Sequence, residues 1–459
     1  MIDDVLAKVD ANLQASLERL FALLRIETIS TDPAYAGEVR KGAEWLVADL
    51  KSMGFAASLR ETPGHPIVVA HDETVKEGPH VLFYGHYDVQ PVDPLELWKT
   101  PPFEPQIAKG ADGSEQIVAR GSADDKGQLM TFLEACRAWK AAGGLPVRVS
   151  IVLEGEEESG SDNLAAFLAA NREELKADVA LVCDTSMWNA ETPAITVMLR
   201  GLVGEEVTVT AADRDLHSGL FGGAARNPIH VLVDALAGLH DEDGRVTLPG
   251  FYEGVPELPA DVKKMWDAEL GFSAEQFLGS VGLKEPAGEK GRTALEQIWS
   301  RPTCEVNGII GGYTGAGFKT VIPAKASAKV SFRLVGDQDP AKVSAAFRAY
   351  MKGRMPADCT VEFTGHGGSG AIRLPFAGKE LAAARAALTA EWGRGAVLIG
   401  GGGSIPVVGD FKRILGLDTL MIGFGLDDDR IHSPNEKYQL QSFVKGARSW
   451  ARVLGALRG

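Results

Sequence analysis

The stretch VLFYGHYDVQP (81–91) decides how the chain is to be read. Its opening VLFYG is an unbroken short apolar run, the signature of a strand buried on both faces. Side chains two apart share a face of a strand, so His86 and Asp88 point together where the run ends. These residues alone leave two readings open. A histidine beside a carboxylate is commonly a satisfied polar pair at a strand end. Alternatively, His86 is a metal ligand and Asp88 the acceptor that holds its other ring N–H, which sets tautomer and ring direction.

Outward from this strand, short apolar runs alternate with helical patterns. A helix is predicted over 126–142, then the strand VRVSIVL (147–153), a helix near 162–175 and the strand VALVC (179–183). That is the βαβ alternation of a sheet covered on both faces. Helical spacing also marks 5–25 and 42–53 upstream. After about 196 the texture changes. LVGEEVTVTA (202–211) and KASAKVSFRLV (325–335) alternate like half-exposed strands, with helices at 227–240 and 340–352 and a further strand at CTVEFTG (359–365). The first texture then returns in a helix at 380–392, the runs AVLIG (396–400) and LDTLMIGFG (417–425), and a closing helix at 435–457. The expected fold is α/β. A discontinuous domain with a mixed, helix-covered sheet occupies 1–196 and 388–459, and an α+β insertion occupies 197–387.

Composition narrows the function. The chain has 459 residues, 45% of them hydrophobic, and a formal net charge of −15 from 62 acidic and 47 basic residues. A nucleic-acid partner would require a basic face, which this balance argues against. The acidic, amphipathic start MIDDVLAKVDANLQASLERL lacks the pattern of a secretion signal, and no apolar run reaches the roughly 20 residues of a membrane span. Cys136, Cys183, Cys304 and Cys359 show no CxxC spacing and read as reduced thiols of a cytoplasmic protein.

Four further segments place acidic or imidazole groups where strands end. ARGSADDKGQ (119–128) carries Asp124 and Asp125 before a helix, where one of them reads equally well as a cap. LEGEEESGS (153–161) crowds Glu156, Glu157 and Glu158 after a strand, and their repulsion is costly unless cations neutralise it. LVCDTS (181–186) supplies Asp184, and DDDRIHSPNE (427–436) supplies His432. His86, Asp124, Glu158, Asp184 and His432 thus sit together at carboxyl ends of strands, where open α/β sheets collect ligands. Two imidazoles and three carboxylates suit two borderline cations, Zn²⁺ or Mn²⁺, with one carboxylate shared between them.

GHYDVQP, ARGSADDKGQ, EGEEESGS, CDT and HSPNE, in this order and spacing, resemble the di-metal exopeptidase and deacylase family. That family includes carnosinase-like cytosolic dipeptidases, glutamate carboxypeptidase, aminoacylase and succinyl-diaminopimelate desuccinylase. LHSGLFGG (216–223), FRLV (332–335), GHGG (365–368) and GGSIP (402–406) resemble motifs of its second domain and hinge, closest to the carnosinase-like dipeptidases. The resemblance implies two divalent ions per chain (Zn or Mn, with Co also suitable). Asp124 would bridge them, His86 and Asp184 would hold one, and Glu158 and His432 the other. It implies Asp88 as the orienter of His86, Glu157 as general base, and a cis peptide just after Asp124. It also implies His217 as an oxyanion donor, often reaching in from the other subunit of a homodimer, and makes the insertion a lid and dimerisation domain.

For the substrate carboxylate Arg333 offers a bidentate fork and Gly402, Gly403 and Ser404 a close backbone approach before a predicted helix start, while His366 resembles a hinge-region histidine near the substrate. Arg333 alone would more often be a surface residue, and the glycine run at 400–403, without the GK[ST] of a phosphate loop, reads equally well as a tight turn. The expected activity is metal-dependent hydrolysis of dipeptides or short peptides. Two alternatives use the same scaffold: an N-acyl-amino-acid amidohydrolase with the same centre, and a non-catalytic binding protein. The second requires loss of a ligand or the base, and every position is filled.

Overall fold

The computed structural model describes residues 2–403 and 405–459. The chain forms two compact units: Met1–Val197 with Leu374–Ile399 and Pro406–Gly459, and Met198–Arg373 with Gly400–Ile405. The strands that position the site are, in chain order, β1 (Ala56–Arg60), β2 (Ile67–His71), β3 (His80–His86), β4 (Arg148–Glu154), β5 (Val179–Val182), β6 (Ala194–Leu199), β7 (Gly201–Thr210), β8 (Thr303–Gly311), β9 (Lys325–Leu334), β10 (Thr360–Ser369) and β11 (Asp418–Met421).

In the first unit the mixed sheet runs β1-β2-β4-β3-β5-β11-β6. The central strands β4, β3, β5 and β11 are parallel, and the strands toward either edge are antiparallel. Only the first residue of β3 is partly exposed, as an unbroken apolar run requires of a strand covered on both faces. On one face Phe83 stacks on Phe132 of the helix Lys126–Ala141 at 3.8 Å between ring centroids. Trp450 of the helix Leu440–Leu457 meets both rings edge-on. On the other face Tyr84 meets Phe411 edge-on at 5.8 Å. The closing helix begins at Leu440 rather than 435, because Lys437–Gln439 pair as a strand with Gln116–Val118. The helical pattern at 5–25 is two helices, Ile2–Ala11 and Leu13–Leu24.

The second unit carries an antiparallel sheet in the order β8-β9-β7-β10. The alternation of β7 and β9 sets its two faces. Val203, Val207, Val209, Val330, Phe332 and Leu334 point into a core with Leu232 of the helix Pro228–Ala237 and Phe347 of the helix Pro340–Gly353. Leu202, Gly204, Glu206 and Arg333 occupy the opposite face.

Candidate active site

Parallel β4, β3 and β5 lie side by side, so their carboxyl ends share one edge of the first unit's sheet. His86 closes β3. Glu158 sits in the 3₁₀ turn Glu157–Ser159 after β4, and Asp184 follows β5. Asp124 lies in the loop entering the helix Lys126–Ala141, and His432 in the loop after β11.

Asp124 is the hub. Its Oδ1 is 2.9 Å from His86 Nε2 and its Oδ2 is 3.0 Å from His432 Nε2. His432 Nε2 is also 3.2 Å from Glu158 Oε2, and His86 Nε2 is 3.9 Å from Asp184 Oδ2. Two triads result, His86–Asp124–Asp184 and Asp124–Glu158–His432, each with ligand atoms within 4.8 Å of one another. They share only Asp124, and each offers one imidazole and two carboxylates.

The charges explain what this set requires. Burial alone would raise the Asp124 carboxyl, but hydrogen bonds from His432 and His86 hold it well below the usual range. The same bonds push the His432 imidazole up to about 10 and, against burial, raise that of His86. Asp184 is raised by burial and then by the Asp124 charge. The carboxylates thus demand more positive charge than two imidazoles supply. That donor set fits two divalent cations of the borderline kind.

Glu157 differs from its neighbour. Glu158 accepts a hydrogen bond from Gln90 Nε2 at 2.7 Å, whereas the Glu157 carboxylate accepts none among the described residues. Burial pushes the Glu157 carboxyl up to about 7, with Asp124, Glu158 and Asp88 adding to the rise and His86 opposing it. A carboxyl poised near neutrality beside metal-type ligands is suited to proton transfer. Asp88, fully buried, does more than the orienting role its spacing suggests. Its backbone oxygen is 3.2 Å and its Oδ1 3.4 Å from His86 Nδ1. Its carboxylate also accepts from Ser30 Oγ at 2.6 Å and from the backbone N–H groups of Glu157 and Glu158 at 3.2 and 3.0 Å.

The second unit holds the other residues singled out from sequence. His217 is exposed, and its Nδ1 accepts the Gly219 N–H at 3.0 Å, so a neutral ring carries its proton on Nε2. Arg333 pairs in register with Leu202 and Thr303 on the sheet face away from the core. His366 stands at a bulge in β10, its Cβ over Gly204 and its Nε2 3.6 Å from Glu206 Oε2, so it shares the Arg333 face. Gly403 follows the strand Val397–Gly401, and Ser404 lies outside the described residues.

The sequence profile of Peptidase family M20/M25/M40 matches residues 82–456. The chain belongs to this family. The expected class, a metal-dependent peptidase, stands with it. The Cys-Gly metallodipeptidase DUG1 of Candida albicans is 32% identical over 94% of this chain and 92% of its own. The Beta-Ala-His dipeptidase of Rattus norvegicus is 29% identical over 85% and 79%. The M20 family metallo-carboxypeptidase Sso-CP2 from Sulfolobus solfataricus superposes with a TM-score of 0.83, 30% identity and coverage of 96% and 99%.

Against this M20 framework, two acidic residues of the quoted motifs take supporting roles that the sequence did not assign them. Glu436, fully buried, accepts from the backbone N–H groups of Gly121, Ala123 and Asp124 at 2.9–3.1 Å and from Arg120 Nη1 at 2.7 Å. It thereby ties the loop that carries Asp124 to the segment that carries His432. Asp125 accepts the His86 N–H at 3.1 Å, and the Asp124–Asp125 peptide is cis, as the family resemblance implied. The acidic ending of HSPNE was visible in the sequence. That it reaches back across more than 300 residues was not.

Proposed function

We propose that this M20 peptidase hydrolyses the peptide bond of dipeptides or short peptides with two divalent ions per chain. His86, Asp124 and Asp184 would hold one and Asp124, Glu158 and His432 the other. The single observation that carries the reading is the pair of triads sharing Asp124, with an unpartnered Glu157 carboxylate beside them. Bound divalent ions supply Lewis acidity, polarising the scissile carbonyl and lowering the pKa of an attacking water. Glu157 takes the proton of that water and returns it to the leaving amine. Asp88 holds His86 and the Glu157–Glu158 backbone in place for both tasks.

We assign the second unit the role of lid and dimerisation domain. The His217 ring, with its proton on Nε2, is suited to donate to the tetrahedral oxyanion, which for a comparable donor is worth on the order of 10²–10³ in kcat. Arg333, His366, Gly403 and Ser404 would receive the substrate's free carboxylate, the Arg333 fork matching two oxygens at once. A homodimer is supported by edge strand β8, which exposes Val306, Ile309 and Ile310. A cytoplasmic location is supported by four cysteines that are all free thiols. Among the described residues no helix is long and apolar enough to cross a membrane.

The test is turnover by metal-stripped protein reloaded with Zn²⁺, Mn²⁺ or Co²⁺, on dipeptides and on the matching N-acyl amino acids. Hydrolysis of the dipeptides alone is expected. Turnover of the N-acyl compounds alone would make the enzyme a deacylase, and turnover of neither would leave the scaffold non-catalytic.

A further inference from the structure

Beside the sheet face away from the second unit's core, two guanidinium groups lie close enough to repel each other, and among the described residues neither forms an ion pair. Arg333 of β9 is the partner of Leu202 on β7. Arg200 immediately precedes β7, two residues before Leu202; its backbone N–H donates to the Gly401 carbonyl at 3.3 Å, and its guanidinium lies close enough to that of Arg333 for the two charges to repel. Among the described residues Arg200 Nε is buried with no hydrogen-bond partner, and Nη1 donates to the Gln297 carbonyl at 3.5 Å. Glu305 lies on the same face, two residues beyond the Arg333 partner Thr303, and its charge acts on Arg200 without an ion pair to either arginine. Among the described residues no carboxylate forms an ion pair with either guanidinium.

The backbone beside them is open. A Cβ on Gly402 would stand 3.3 Å from Arg200 Nη2, and one on Gly403 would meet nothing within 4 Å. Burial, and then the Arg333 charge, push the Arg200 guanidinium down to about 10, with Glu305 opposing. Taking a cation out of water beside another cation is costly unless an anion joins them. One carboxylate satisfies one fork. Two forks call for a ligand with two negative groups.

We propose that Arg200 and Arg333 together form a double-guanidinium site for the C-terminal residue of the substrate, Arg333 taking the α-carboxylate and Arg200 a side-chain carboxylate. This rests on the dipeptidase reading and deepens it: the preferred substrates end in Asp or Glu. Arg200 is then a specificity-determining residue.

The isosteric pairs Ala-Glu with Ala-Gln and Ala-Asp with Ala-Asn test it on the metal-loaded enzyme. The acid-over-amide ratio of kcat/KM should exceed one and fall about 10- to 100-fold in Arg200→Gln, the scale of a lost hydrogen bond to a charged group. Arg200→Lys, which keeps the charge but not the fork, should fall between the two and serves if the Gln variant does not fold. A merely structural Arg200 would lower both members of each pair alike, and an unchanged ratio overturns the proposal. Calorimetric binding of succinate and of its monoamide, succinamate, needs no turnover. A preference for succinate that Arg200→Gln abolishes supports the site even if no dipeptide is cleaved, in which case only the dipeptidase reading falls. Cleavage of dipeptides with no acid preference, and no succinate preference, defeats this inference alone.

Discussion

The two ends of β3 carry similar residues and opposite electrostatics. At its start, His80 Nε2 and His71 Nδ1 both lie 2.8 Å from the hydroxyl of buried Ser150. His71 Nε2 faces Glu174 at 3.2 Å, and Glu174 is also paired with Arg60 at 2.6 Å. The His80 backbone N–H is matched by Asp178 at 2.8 Å. Neutral rings satisfy the whole chain: His80 donates to Ser150, Ser150 to His71, and His71 to Glu174. At the other end, two imidazoles face Asp124, Glu158, Asp184 and the nearby Glu157, and among the described residues no hydroxyl or arginine hydrogen-bonds to these carboxylates. Histidines gathered at a strand end therefore do not define a site. An unbalanced excess of buried carboxylate does, because only a cation relieves it.

The sharpest way to break this contrast is at Glu157. Glu157→Gln should lower kcat about 10²–10⁴-fold while leaving two metals per chain by elemental analysis. Glu158→Gln should instead shed metal. If the two outcomes exchange, the base and the ligand exchange with them.

Next in size is Glu436→Gln, which strips a fully buried partner from Arg120. Leaving that charge uncompensated should cost about 3–5 kcal/mol in denaturant unfolding. Because the same carboxylate holds the Asp124 N–H, metal affinity should fall as well, measured by competition with a chelator. Full metal retention with the stability loss would show that the anchor serves only the fold.

Ser150→Ala addresses the opposite end. Two imidazoles lose their shared partner, a cost of about 1–3 kcal/mol in stability. Metal content and kcat/KM should not change. A loss of metal there would mean that the ends of β3 are coupled.

The smallest effect concerns acid. Burial, with the Arg148 charge adding, holds the His80 pKa below its ordinary 6.5. The folded state then binds fewer protons than the unfolded chain near that pH, so this stabilisation is present above 6.5 and is lost as pH falls through the folded value. His80→Asn should flatten the decline in stability between about pH 7 and pH 5 relative to the wild type, read from urea midpoints at each pH. Parallel curves would show that His80 does not titrate differently on folding.

What the sequence determined by itself was local. The apolar run of β3, the alternation of β7 and β9, and acidic or imidazole residues following strands are periodic or adjacent features, and the elements they announce are present. The triads gather five residues that were all visible in the sequence; parallel strands of one sheet end on the same edge, which brings His86, Glu158, Asp184 and His432 together, whereas Asp124 reaches them from the loop entering a helix. Tertiary structure alone decided the pairings. Asp124, not its neighbour Asp125, faces both imidazoles, while Asp125 turns to the His86 backbone. Glu436 closes on a loop more than 300 residues away, and Arg200 is brought within reach of the Arg333 charge from a position more than 130 residues earlier in the chain. The strands β1, β2 and β6 carry no such signal in the sequence, although they are as long as runs that do. Periodicity says which face a residue takes. Which charge it meets there depends on strand order, register and loop closure, and these are set by the packing of segments far apart in the chain.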